Sequence, residues 1–352
     1  MSSGWLFCGL LGAAVSLPVA VPAYPESGTA VHLVHPGQSI QAAVDAARPG
    51  DTVLVQAGHY HESVLLRTSG VTLRGAGPLT VLSPPDGAAT GACAAAGDGI
   101  CVFGTADHPV TDARIESLTV SGFRIDGISA SGTDGLTVRS VEARDNGQQG
   151  ISEEKSVRSR VAGNTAHGNG QAGVFLANIA DGKGVGVDTD GTRVSGNRLY
   201  GNRFGVVVRR LRNLVVAQNT VTGNCGGVFI VGDDTRPRAG DLTVRGNLVN
   251  DNNSYCPATD RLPYIQGSGI VLTGVEQTLV TDNEVDGNVG ASPLSGGIVL
   301  FRSYVGGQST DNTVRDNLVV DNRSADLADR DGGARNVFVA NVCRVSEPAG
   351  RC

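Results

Sequence analysis

Large aromatic rings are scarce: Phe, Trp and Tyr make up 4% of the 352 residues, and the single tryptophan, Trp5, lies in an apolar N-terminal run. A chain so poor in rings lacks the broad stacking platform on which tight binders of neutral sugars rely. Charge is sparse too, at 18%, and 34 acids outnumber 28 Lys and Arg, which excludes a bulk electrostatic pull on nucleic acid or an anionic membrane. No G-x-x-x-x-G-K-[ST] loop and no G-x-S-x-G elbow occurs, so neither a P-loop phosphate cradle nor a serine triad of that type has support. The absence of C-x-x-C, and of any histidine beside a cysteine, argues against structural zinc. Beyond the N-terminal run no segment is apolar for long enough to cross a bilayer.

Glycine, by contrast, is abundant, with 50 residues and no collagen-like period of three. Residues 5–23, WLFCGLLGAAVSLPVAVPA, read as a signal peptide with cleavage after Ala20 or Ala23, although no Lys or Arg precedes the run. Export is the expectation, to a secreted or cell-wall-associated location. With the leader set aside, six cysteines remain, an even count that favours disulfides in an exported protein. Their order suggests the local pairs Cys93 with Cys101, Cys225 with Cys256 and Cys343 with Cys352, among the 15 connectivities that six cysteines allow.

The chain after the leader opens with a short amphipathic helix. Ser39 is placed to cap it, Ile40, Ala43, Val44 and Ala47 form its apolar side, and Pro49-Gly50 ends it. Such a helix suits the open end of a stacked sheet, which would otherwise expose core and strand edges. From about residue 71 the sequence repeats itself. Two asparagine columns emerge: Asn164, Asn197, Asn219, Asn247, Asn283 and Asn317, and five residues on Asn169, Asn202, Asn224, Asn252, Asn288 and Asn322. The shortest step within a column, 22 residues, is one coil of three short strands and three turns; the longer steps are the same coil carrying a loop. Asparagine tolerates left-handed backbone and bonds neighbouring backbone groups, so these columns read as ladders inside a turn rather than as a site.

A third column consists of Gly-apolar strands, among them GVFLA at 173–177, GVVVR at 205–209, GVFIV at 227–231 and GIVLF at 297–301. Alternation directs Ile151, Val174, Val206, Val228, Ile270 and Ile298 inward. It leaves Ser152, Phe175, Val207, Phe229, Val271 and Val299 outward, followed two residues on by Glu154, Ala177, Arg209, Val231, Thr273 and Phe301. Glu153 breaks the pattern, and the strand is expected to end or bend there. The outward row is apolar enough to be a binding surface or to lie under a loop. Insertions at 178–190, 232–240, 253–266, 289–295 and 302–310 flank it, where such scaffolds carry specificity.

The opening HPGQSIQAAVDAARPGDTVLVQAGHYHESVLL, the VTLRGAG that follows and the NxVxxN coils together resemble the exported right-handed β-helix proteins of the pectate-lyase-like superfamily, over residues 31–342. The resemblance implies an all-β, right-handed parallel β-helix as a single domain, after a leader at 1–23 and before a disulfide-tethered tail at 343–352. It implies a polysaccharide lying in a groove along stacked strands, often with Ca2+ held by acidic residues. Its members include polysaccharide lyases, uronan epimerases and periplasmic carbohydrate-binding proteins. The Tyr-Gly-Asp-Pro-His signature of the alginate epimerases has no match, since His35-Pro36 stands without the flanking acids, so no catalytic residue carries over by motif.

The residues nevertheless nominate a working face. Uronate elimination requires a cation against the carboxylate and a base near C5. Arg209 and Lys183 are the cationic candidates and Glu154 the acidic one, with ordinary surface residues as the alternative for each. Phe175, Phe229, Phe301, Arg210, Tyr255 and Tyr264 are nominated to hold substrate, and Asp181, Asp188, Asp190, Asp233 and Asp234 to hold Ca2+. The leading expectation is a lyase acting by β-elimination on a uronate polysaccharide. The alternatives are a glycan-binding wall protein without catalysis, a glycosidase pairing Glu154 with Asp181 or Asp188, and a small-molecule enzyme on the same scaffold. A monomer is expected.

Overall fold

The structure is a computed structural model that describes residues 28–87, 90–179 and 183–352, with Met1, Ser2 and Gly4. Residues 5–23 of the expected leader, Cys8 among them, and Asp181 therefore lie outside the described residues. Short parallel strands stack into three long sheets of 12, 10 and 11 strands. The chain visits the sheets in turn, so each coil adds a strand to each sheet, in the solenoid expected of a right-handed parallel β-helix. The first sheet runs from Val31–Val34 to Val337–Val339, the second from Gly58–His61 to Leu318–Val320, and the third from Val64–Leu66 to Ser346–Glu347. Residues 343–352, expected as a tail, thus contribute one further strand.

Burial of the inward rows accounts for the stacking. Ile151, Val174, Val206, Val228, Ile270 and Ile298 are all fully buried and in parallel register, so one apolar column runs the length of the third sheet. The helix Ile40–Ala46 closes the N-terminal end. The Ser39 hydroxyl accepts the Ala42 N–H, the Glu62 carboxylate accepts those of Ile40 and Gln41, and Ile40 and Val44 plug the core. A second helix, Ala92–Ala96, was not legible in the sequence and carries Cys93.

Both asparagine columns are ladders. In the first, the Asn197 amide donates to Asn219 Oδ1 at 2.9 Å, and Asn219 repeats this to Asn247. Each rung also accepts the backbone N–H of the preceding asparagine, as Asn219 Oδ1 does from Asn197. The first column extends to Asn341, and the second begins at Asn146 and ends on the carboxylate of Asp326. The left-handed residue is the one before each asparagine: Gly196, Gln218, Gly246 and Asp282 have φ between 55° and 64°. The asparagine supplies the hydrogen bonds, and its predecessor supplies the turn.

The strand Ile151–Glu154 continues one residue past Glu153, where an end or bend was expected, and the chain turns at Lys155, whose φ is 48°. Glu153 points into the core between Ala130 and Leu176 with neither carboxyl oxygen hydrogen-bonded. Burial pushes its pKa from 4.5 to about 7, partly opposed by the nearby Ser159 hydroxyl, so the core accommodates it as a neutral acid. The disulfides 93–101, 225–256 and 343–352 are all formed. No described helix is long and apolar enough to cross a membrane.

Candidate functional site

The outer wall of the third sheet is a grid, because parallel register places equivalent residues of successive coils about 4.8 Å apart. One row reads Ser131, Glu154, Ala177, Arg209 and Val231, and the next Ser129, Ser152, Phe175, Val207 and Phe229. The grid divides into two halves. Coils beyond Val207 are covered: Phe229, Val271 and Val299 are buried in a second apolar cluster with Ile265 and Leu294, supplied by the insertions at 253–266 and 289–295. The Cys225–Cys256 disulfide fastens the longer insertion down. Gly226 makes room for the packing, since a Cβ there would lie 2.5 Å from the Phe229 ring, which tilts against Phe204 at 4.7 Å. Phe229, nominated to hold substrate, is therefore part of a core beneath a loop. Phe301 is partly buried at the edge of the same cluster and packs against Tyr304.

The coils before Val207 are the open half, and they are polar. Ser129, Ser131, Glu154 and Phe175 are half-buried at the surface, and Arg209 lies at the border with the covered half. Arg209 and Glu154 flank Ala177 in one row, two strand spacings or about 10 Å apart at the backbone. The Arg209 side chain makes no hydrogen bond or ion pair among the described residues. Desolvation, followed by repulsion from Arg210 and Arg261, lowers its pKa, with Asp233 opposing. Glu154 shifts the other way: desolvation raises its pKa, against the pull of Lys155. A half-buried cation without a counter-ion and a carboxyl with raised proton affinity thus face one small-residue slot, with the Phe175 ring diagonal to both.

Below this row a carboxyl ladder enters the sheet. The Asp98 carboxylate accepts the Asp126 N–H, Asp126 accepts the Gln149 N–H, and Gln149 Oε1 accepts the Ala172 N–H. Burial pushes Asp126 to about 7, with Asp98 and Glu154 adding to the rise against the Gln149 N–H. This pair is not among the nominated residues, although the recurring Asp-Gly-Ile at 98–100 and 126–128 is the sequence signal that marks it.

The remaining nominated residues are engaged elsewhere. Arg210 is buried against Asp233 at 2.9 Å, which removes it from the surface. Lys183 pairs with Asp234 at 2.6 Å, clasping two insertions together. Tyr255 and Tyr264 stack at 5.7 Å on the 253–266 insertion, Tyr255 being exposed. The described acids among those proposed for Ca2+ do not converge. Asp233 takes Arg210 and the N–H groups of Gly184 and Thr235, Asp188 takes the Asp190 N–H and the Asn213 amide, and Asp190 meets Arg158. Burial alone would raise Asp233, but Thr235, Gly184 and Arg210 hold it below the usual carboxylate range. Among the described residues no three His, Cys, Asp or Glu side chains form a metal-sized group.

Residues 92–249 match the family described as right handed beta helix region, and residues 180–346 the family described as periplasmic copper-binding protein (NosD). Among solved structures, the A-module of a mannuronan C-5 epimerase of Azotobacter vinelandii superposes with a TM-score of 0.59 at 19% identity, covering 88% of this chain and 90% of that one. A second such module from the same organism gives 0.54 at 20%, over 88% and 93%. The DFA-IIIase of Arthrobacter chlorophenolicus A6 gives 0.53 at 16%, over 84% and 88%. Among curated proteins no sequence matches. At these identities the likeness is one of fold.

Proposed function

We propose that this chain, a right-handed parallel β-helix of the pectate-lyase-like type, is an exported carbohydrate-active protein that cleaves a uronate polysaccharide by β-elimination. The observation carrying the reading is the unpaired, half-buried Arg209 facing Glu154 across Ala177. A uronate carboxylate seated on Arg209 restores the missing counter-ion, and its negative charge is neutralised as the C5–H bond becomes acidic. Glu154, with its raised proton affinity, takes the C5 proton; the C4–O bond breaks as the C4–C5 double bond forms, and the leaving oxygen takes the proton back from Glu154. Phe175 offers a ring beside the slot, and the half-buried Ser131 offers a hydroxyl in the row of Glu154. The mannuronan epimerases of similar fold act on a polyuronate, which agrees with this substrate class.

Among the described residues the copper in the name of the second matching family finds no donor set. Copper sites use thiolate, thioether or imidazole donors. All six described cysteines are in disulfides, Met1 is the single methionine, and His59 and His61 share an exposed strand face where His61 turns to Ser83.

The test is ultraviolet absorbance of unsaturated uronate during incubation with pectate, alginate and glycosaminoglycans. Product from one substrate, lost on Arg209→Ala, is the expected result. Binding without product from any of them would replace the lyase with a glycan-binding protein.

A further inference from the structure

The outer face of the first sheet carries a feature that the site above does not use. In parallel register, one outward row reads Thr72, Arg114, Thr137, Arg160 and Arg193, and its neighbour Arg74, Glu116, Arg139, Ala162 and Ser195. Five arginines thus stand against one glutamate on a flat strip, within a chain whose acids outnumber its bases. Glu116 lies beneath the strip, 1% exposed, gripped by Arg74 at 2.7 Å and Arg139 at 2.8 Å. Arg139 foremost, then Arg74, holds its pKa below the usual range against burial. Those two guanidinia are fixed in place by the shared carboxylate. Arg114, Arg160 and Arg193 are exposed and make no ion pair or hydrogen bond through their side chains among the described residues. Among the described residues no loop covers them.

We propose that this strip is a second binding surface, separate from the Glu154–Arg209 slot, for a carboxylated polysaccharide chain lying along the solenoid axis. Three unpaired guanidinia repeat at whole strand spacings, of about 4.8 Å between Arg160 and Arg193 and about twice that between Arg114 and Arg160. A linear polymer bearing regular carboxylates can meet such a row with successive groups, each in the planar fork geometry that arginine offers. Over these five coils the two rows contain no aromatic side chain on which a nucleobase could stack and no large apolar side chain to enter a lipid surface; such side chains enter the rows only outside the strip, at Leu54 and Val215. Those absences favour the polysaccharide over nucleic acid or membrane. A chain held on this face raises the local concentration of substrate at the slot without contributing to the chemistry.

The test compares the full chain with a triple variant, Arg114→Ser, Arg160→Ser and Arg193→Ser. A control of equal charge carries Arg48→Ser, Arg67→Ser and Arg323→Ser at exposed positions elsewhere. Calorimetric binding of polygalacturonate and alginate is measured at low and raised salt, with single-stranded DNA and phosphatidylserine vesicles in parallel. The strip variant should lose about tenfold or more in affinity at low salt and most of its salt dependence, with the control within about threefold. Equal losses in both variants, or none in the strip variant, would overturn the surface. Tighter binding to DNA or vesicles than to either polyuronate would overturn the choice of polysaccharide. Arg209→Ala, assayed alongside, separates the two readings, because failure of the slot leaves strip-dependent binding intact and failure of the strip leaves turnover of short oligouronates intact.

Discussion

Glu154 and Arg209 stand in one outward row of the third sheet with only Ala177 between them, a carboxyl and an unpaired guanidinium on opposite sides of a residue too small to separate them. Their shifts run in opposite directions, each from burial first. Desolvation makes the acid hold its proton more firmly and the cation less so, and an anionic sugar bound between them relieves the second.

Arg209→Ala and Glu154→Gln should each lower kcat/KM on the responsive polyuronate by about 100-fold or more, the scale of a lost charge clamp or proton-transfer group. The two should divide differently. Arg209→Ala raises KM as well as lowering kcat, since the carboxylate is bound before reaction, whereas Glu154→Gln acts on kcat. Steady-state kinetics on purified oligouronates distinguish them, and an Arg209→Ala protein with wild-type kinetics would exclude the clamp.

Glu153→Gln should stabilise the protein, and more so in base than in acid. The folded pKa of about 7 lies above the ordinary 4.5, so the native state binds the extra proton between those values. Stability linked to this group is complete below about 4.5 and falls as pH rises to about 7, by about 3 kcal/mol in all. Urea titrations should show the variant gaining most of that at about pH 8 and little at about pH 4. A variant no more stable than wild type at the higher pH would mean that Glu153 has a partner in solution.

Asp126→Asn repeats the sign argument at a ladder position. The acid is raised from 3.8 to about 7, so it too withdraws stability as pH climbs through that window. Asparagine keeps an oxygen for the Gln149 N–H and removes the charge stacked on Asp98, as the chain does at its asparagine turns. The expected result is a flatter pH profile of thermal stability with unchanged Tm in acid. A lower Tm at every pH would show that the carboxylate makes a bond the amide cannot.

The solenoid was legible because its signals are periodic. Asn197 to Asn219 and Asn202 to Asn224 give the coil twice, and the inward Val and Ile column gives the pleat. The site was legible only in part, for a physical reason. The row containing Glu154, Ala177 and Arg209 follows from strand alignment, but whether a row is open depends on where insertions fold. The 253–266 insertion buries Phe229, and the Asp233 carboxylate draws Arg210 inward, through contacts that link residues without any repeat. Glu153 shows the opposite failure: the pleat assigned it to the core correctly, and chemical expectation argued for a bend that protonation makes unnecessary.

Replacing Asn219 by alanine tests the ladder itself. Its side-chain oxygen accepts from the Asn197 backbone N–H and side-chain amide, and its own amide donates to the Val194 carbonyl and to Asn247 Oδ1. Alanine leaves those buried groups unpaired, at roughly 1–3 kcal/mol for an unsatisfied buried group. The site lies in the middle of a one-dimensional stack, where each coil contacts only its neighbours, so the loss weakens the interfaces on both sides and not the ends. Denaturant unfolding should show a loss of about 2–4 kcal/mol, and hydrogen exchange should rise first at the amides of Asn197 and Thr220. Asn341→Ala, on the half-buried last rung, should cost less, and equal losses at the two positions would show that the ladder does not depend on burial.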